Sequence, residues 1–169
     1  MTNLDTIVAV YSENPGPDID WPALEAAEAD WAALEAAAKA GEVNIADAAL
    51  VENRNGEALV LHRQSHHGWG EGAVVGAVVG ILFPPTIVGA AVVGAGGGAL
   101  VARFRRALDQ GKVKDLGETL KGGARAIIVV SPYQSSNAVC STLKGSNKTT
   151  IVPSTTVEEV QEVMRSGGA

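Results

Sequence analysis

One cysteine, Cys140, stands in a chain of 169 residues, aromatic residues make up only 4% of it, and no charged residue occurs between Gly72 and Ala102. The lone cysteine excludes an intramolecular disulfide and suits a reducing compartment. A solitary small thiol in apolar company is core filler before it is a nucleophile. With hydrophobic residues at 46%, the shortage of aromatics predicts a core packed from alanine, valine and glycine. A basic surplus is missing too. Thirteen Lys and Arg against nineteen Asp and Glu leave a net charge of −6 and a pI near 5.0, which excludes the sustained basic surface that nucleic acid requires. The N-terminus is acidic and the apolar stretch lies mid-chain, so no signal peptide is expected. The length suggests one domain with a real core.

What the uncharged stretch contains is glycine at a helical interval: Gly68, Gly72, Gly76 and Gly80, then Gly94 and Gly98. Each glycine inside a helix costs about 1 kcal/mol relative to alanine, so a row of them forfeits several kcal/mol of helix stability. Close approach of a second helix against the flat stripe is the compensation that small-xxx-small repeats allow. Pro84 and Pro85 break the stretch, because proline lacks the amide donor and clashes with the preceding turn. The first arm, residues 70–83, would be about 20 Å long, and the apolar part of the second, from residue 86, about 25 Å. A bilayer core is about 30 Å thick and takes about 20 apolar residues per span. A hairpin folded glycine face to glycine face fits these lengths better than a transmembrane span. Gly72, Gly76, Gly80, Ala90, Gly94 and Gly98 would form its seam and Pro84-Pro85 its turn. Valines including Val74, Val78 and Val92 would point outward, to meet lipid, the rest of the domain or another subunit.

Trp69 precedes the hairpin and Arg103, Arg105 and Arg106 follow it, so an aromatic and a cationic cluster stand at the same end. Membrane hairpins carry such interfacial anchors, and excess arginine favours the cytoplasmic side. Arginines in a last helical turn also complement the helix dipole without any membrane.

Around the hairpin the pattern alternates between strand and helix. Thr6 to Tyr11 reads as a strand, and Asp20 as a helix cap ahead of Pro22. Leu24, Ala27, Trp31, Leu34 and Ala38 then recur at helical spacing, with Glu35 and Lys39 an i,i+4 pair and Gly41 a stop. Asn44 to Val51 and Glu57 to Arg63 are strand-like runs about an Asn55-Gly56 turn. Val113, Leu116 and Leu120 mark a short helix closed by Gly122-Gly123, and Ala126 to Val130 a strand buried on both faces. Ser136 to Leu143 predicts a helix and Thr149 to Val152 an added strand. Thr155 to Arg165 predicts a last helix with Thr155 and Glu158 at capping-box spacing and Val157, Val160 and Met164 as its apolar stripe. The fold expected is α+β, a ferredoxin-like split βαβ sandwich with an inserted glycine-zipper hairpin and a C-terminal strand-helix extension. Residues 1–65 and 109–169 would be the two parts of the α/β domain and 66–108 the insert.

The segments IVAVYSE, IADAALVENRNGEALVLH, GEGAVVGAVVGILFPP, VVGAGGGAL and LGETLKGGARAIIVV, in this order from Ile7 to about Val130, resemble the bacterial family catalogued as domain of unknown function 1269. The resemblance implies an α+β domain with an inserted glycine-zipper hairpin and membrane association. It brings no catalytic residues.

Candidate chemistry is sparse. His62, His66 and His67 with Glu71 have the residue types of a metal site but lack a third fixed ligand from elsewhere, and a solvated polar neck beneath the hairpin is the simpler expectation. The glycines of 68–72 lack the Lys-Ser/Thr ending of a phosphate loop. Ser131, Ser135, Ser136 and Cys140 have no sequence-adjacent acid or base to mark a nucleophile. Glu25, Glu28, Asp30 and Glu35 read as the wet face of an amphipathic helix. No catalytic residue, cofactor or metal is therefore expected. The chain is expected to be a non-enzymatic protein that associates with itself through the hairpin at the cytoplasmic face of a cell membrane, with the lipid bilayer as a partner and nucleic acid excluded. The alternatives are a soluble cytoplasmic homo-oligomeric ring or shell, in which the hairpins bury one another, and then a metal- or small-molecule-binding enzyme using the histidine neck.

Overall fold

In the computed structural model the described residues are 2–11, 21–54, 57–65, 78, 103, 106–120 and 124–167. They form strand β1 (Asn3–Tyr11), helix α1 (Trp21–Lys39), strands β2 (Asp47–Arg54) and β3 (Glu57–Ser65), helix α2 (Gln110–Thr119), strand β4 (Arg125–Pro132), a 3-10 turn (Tyr133–Ser135), helix α3 (Ser136–Thr142), strand β5 (Lys148–Thr156) and helix α4 (Val157–Gly167). The strands make one antiparallel sheet in the order β3-β2-β4-β1-β5.

Alternation along the strands sorts the core into two layers. In β4, Ala126, Ile128 and Val130 enter one cluster while Ile127 and Val129 enter the other. Every residue from Ala126 to Ser131 is buried, as expected of a strand covered on both sides. One face of the sheet is covered by α1 and α3, through Ala27, Trp31, Leu34, Val139 and Leu143 packed on Ile7, Ala9, Leu50 and Ile127. The other is covered by Val78, Leu108, Leu116, Leu120 and Val160 packed on Leu4, Val8, Val51 and Ile128.

Local chemistry accounts for the boundaries. Gly41 stands at φ 76°, a left-handed conformation that glycine adopts without strain. There it closes α1: the Glu42 amide bonds to the Ala37 carbonyl at 2.9 Å and the Gly41 amide to that of Ala38 at 3.2 Å, which is a Schellman cap. Asp109 caps α2 by accepting the Lys112 amide at 3.0 Å. Arg54 is opposite Glu57, so the pairing of β2 with β3 runs up to both residues that flank Asn55-Gly56. Asn55, Gly56, Asp20 and Gly122-Gly123 lie outside the described set, as does the side chain of Met164.

Three expectations need correction. The strand predicted as an added extension, Thr149 to Val152, is nine residues long and pairs with β1 along its length, so β5 is integral to the sheet. It encloses β1, whose apolar alternation would otherwise face water along one edge. The run at Glu57 to Arg63 is an edge strand, and β4 takes the place between β1 and β2. The capping box of α4 is shifted by one. Thr156 and Glu159 exchange bonds, the Glu159 amide to Thr156 Oγ1 and the Thr156 amide to Glu159 Oε2, each at 3.3 Å. Thr155 is buried as part of the strand, and Glu158 accepts the Thr2 amide instead.

Candidate functional site

The residues expected to form the hairpin seam and turn, Gly72, Gly76, Gly80, Pro84, Pro85, Ala90, Gly94 and Gly98, lie outside the described residues, and so do Trp69 and Arg105. Within 66–108 the described residues are Val78, Arg103 and 106–108, of which Val78, Arg103, Arg106 and Ala107 are helical. Of the three surfaces that its valines were expected to meet, Val78 meets the rest of the domain. It is 1% exposed and sits in the core cluster with Val8, Ile128 and Val130, against the chain's own sheet. Its physical reason is the sheet itself: β4 and β1 are apolar on both faces, and α1 with α3 cover only one of them.

Beyond the uncharged stretch, Arg103 places Nη1 3.7 Å from Glu159 Oε1 at the start of α4. The other oxygen of Glu159 accepts the Thr155 hydroxyl and the Thr156 amide. These bonds, the hydroxyl's first, and then the Arg103 charge hold the Glu159 carboxyl below its usual range. Arg106 is exposed. Leu108, five residues beyond Arg103, returns to the core beside Val160, and the Asn53 side chain binds the Leu120 carbonyl at 2.6 Å to fix the end of α2.

Under α1 a second constellation forms that sequence spacing does not disclose. His62 Nε2 is 2.8 Å from Glu28 Oε2, and its ring stacks on Trp31 with centroids 5.8 Å apart and planes at 16°. Glu28 Oε1 lies 3.7 Å from Arg125 Nη1, and Arg125 Nε 3.4 Å from Glu52 Oε1. The Trp31 indole donates to Glu35 at 2.6 Å. His66, His67 and Glu71 lie outside the described residues, among which no group of three metal-ligating side chains is assembled.

The wet-face expectation fails at Asp30. This carboxylate is 5% exposed, and its Oδ2 accepts the Tyr11 hydroxyl at 2.7 Å and the Gly145 amide at 2.8 Å. Burial first, and then the bonded Asp30 carboxylate, push the Tyr11 phenol far above its usual range. A Cβ on Gly145 would stand 3.0 Å from Asp30 Oδ2, so any larger residue there would make the carboxylate give by a few tenths of an ångström. At the opposite end of β1, Ser136 donates to Asp5 Oδ2 at 2.7 Å. Cys140 packs on the core, and burial, then the Asp5 charge, push its thiol up and away from nucleophilic thiolate.

A helix pair over one face and an apolar foot over the other define a two-sided α+β scaffold. The model of the family described as protein of unknown function, DUF1269, matches residues 70–166, more than half of the chain, and the chain belongs to that family. The match runs from the uncharged stretch through α2, β4, α3 and β5 into α4. No curated protein and no solved structure matches. Among the described residues no helix is long and apolar enough to cross a membrane.

Proposed function

We propose that this chain is a non-enzymatic, self-associating protein in which the inserted segment lies with its valine side on the sheet and offers its glycine stripe to a second helix. The burial of Val78 carries the proposal. Residues two positions apart on a helix point about 160° from each other. Gly76 and Gly80 flank Val78 at that distance, so a helix through Val78 with its valine on the sheet turns those glycines away from the domain. There the cost of each interior glycine is offset by close helix packing, from the second arm and from other copies.

The platform beneath is ferredoxin-like in this proposal. β1-α1-β2 encloses β4, and β4-α3-β5 encloses β1, two interleaved split βαβ units with α1 and α3 on one face. β3, the inserted segment and α2 are then an insertion between β2 and β4. Strand addition at the sheet edges is disfavoured, since β3 is bulged and β5 carries Pro153. Contact with a membrane face rests on Trp69 and the arginines alone.

Sizing of Gly76→Leu and Gly94→Leu variants tests the proposal. Leucine in a seam forces helices apart at about 1–3 kcal/mol per site. Smaller particles with unchanged circular dichroism are expected; wild-type assembly by both variants refutes the seam. Flotation of the wild type with anionic vesicles separates a membrane-bound assembly from a free one.

A further inference from the structure

Helix α1 turns Ala27, Trp31, Leu34 and Ala37 to the sheet, and its opposite face is exposed. Along the centre of that face run Glu25, Ala29, Ala32, Ala36 and Lys39, each of them exposed. Their spacing is four, three, four and three residues, the alternation by which a helix keeps one seam toward a partner helix. A helix that meets water alone carries charged and polar residues along this line. In α1 alanine occupies it, bounded by an acid at one end and a base at the other. The carboxylates beside the seam are engaged within the chain, Glu28 by His62 and Arg125 and Glu35 by the Trp31 indole. Glu25 and Lys39 are not: among the described residues neither has an ion-pair partner.

We infer that this face of α1 is a contact between two copies of the chain, packed antiparallel about a twofold axis at Ala32. Glu25 and Lys39 lie seven residues to either side of Ala32, about two helical turns, so antiparallel copies set each Glu25 beside the other's Lys39. A parallel pair sets like charges together. An isologous contact has to be self-complementary, and this distribution of charge is, which selects a second copy as the occupant. The alanines let the two backbones approach closely over a small area, so the pair is of the weak class. This contact is separate from the glycine stripe proposed above and does not depend on it.

Crosslinking and charge exchange test it, each in the wild-type chain and in the Gly76→Leu, Gly94→Leu chain, so that loss of the glycine seam and loss of this contact are read apart. In a Cys140→Ser background, Ala32→Cys at the axis is expected to oxidise to a disulfide dimer. Glu118→Cys, exposed on α2 across the sheet, gives the collisional background. By sedimentation, Glu25→Lys and Lys39→Glu each raise the dissociation constant of the pair about tenfold, and the chain carrying both regains wild-type affinity. No disulfide above background, charge reversals that leave association unchanged, or a double exchange that fails to restore it overturns the contact. So does a disulfide between Ala32→Cys and Gly76→Cys chains in place of the Ala32→Cys pair, which would seat the glycine stripe on α1 instead.

Discussion

The two faces of the sheet are closed by different means. Under α1 and α3 the apolar packing is threaded with directional bonds: Asp30 takes Tyr11 and Gly145, Asp5 takes Ser136, and Glu28 links His62 to Arg125. On the other face Val78, Leu108, Leu116, Leu120 and Val160 meet the strands through apolar contact, with Glu159 and Asn53 binding at its margins. Hydrogen bonds fix orientation, whereas apolar burial is non-directional and responds to volume. A substitution that keeps size but changes polarity should therefore injure the first face, and one that changes size should injure both.

Truncating the strand residue that each face covers is the most severe test of this contrast. Ile127 faces α1 and α3, Ile128 lies in the cluster of Val78, Leu116, Leu120 and Val160, and both are fully buried. Each change to alanine is expected to cost about 2–5 kcal/mol by urea unfolding. A cost at Ile128 far below that at Ile127 would mean that the second face is only loosely closed. Asp30→Ala removes the acceptor of the buried Tyr11 hydroxyl and of the Gly145 amide and should cost about 2–3 kcal/mol, while Asp30→Asn, which keeps the shape and one acceptor oxygen, should cost less. Equal losses would show that volume and not bonding matters there. Thr6 lies on the apolar face, 1% exposed, with a hydroxyl that has no hydrogen-bond partner among the described residues. Thr6→Val should raise stability by about 1 kcal/mol, read from the denaturation midpoint, and a loss would reveal a partner for the hydroxyl.

The smallest effect expected is in acid. Because the Glu159 carboxyl is depressed in the fold, its contribution is present above the ordinary glutamate range and lost as pH falls through its lowered value. Thermal unfolding of Glu159→Gln should be less stable than wild type at pH 7 and converge on it in acid. A constant gap would assign the residue a packing role.

Apolar periodicity made the elements legible: α1 with its Gly41 stop, the Asn55-Gly56 hairpin and the doubly buried β4 all follow from local pattern. Strand order did not, because βαββαβ describes chain order equally well whichever strand after β2 is drawn into the middle. β5 looked like an appendage since Thr149, Thr150, Pro153 and Ser154 mute its alternation, although Val152 is buried and Ile151 packs on the core. Asp30 looked solvated because its partners Tyr11 and Gly145 are distant in sequence, 19 and 115 residues away. His62 was visible as a chemical residue but not as the partner of Glu28, since the Leu61 bulge that turns it leaves no mark in composition. The glycine stripe alone left Val78 to meet lipid, the rest of the domain or another subunit; the second, uncovered face of β4, already implied by AIIVV, was the signal that chooses the domain.

Thiol accessibility tests most directly the central claim, that the valine side of the inserted segment lies on the sheet and its glycine side faces a second helix. In a Cys140→Ser background, Val78→Cys and Gly76→Cys are exposed in turn to a soluble maleimide and to mild oxidation. The account predicts that the cysteine at 78 is labelled only as fast as the domain unfolds, and that the cysteine at 76 forms disulfides between copies. Rapid labelling or intermolecular crosslinking at 78, with protection and no crosslinking at 76, would contradict it.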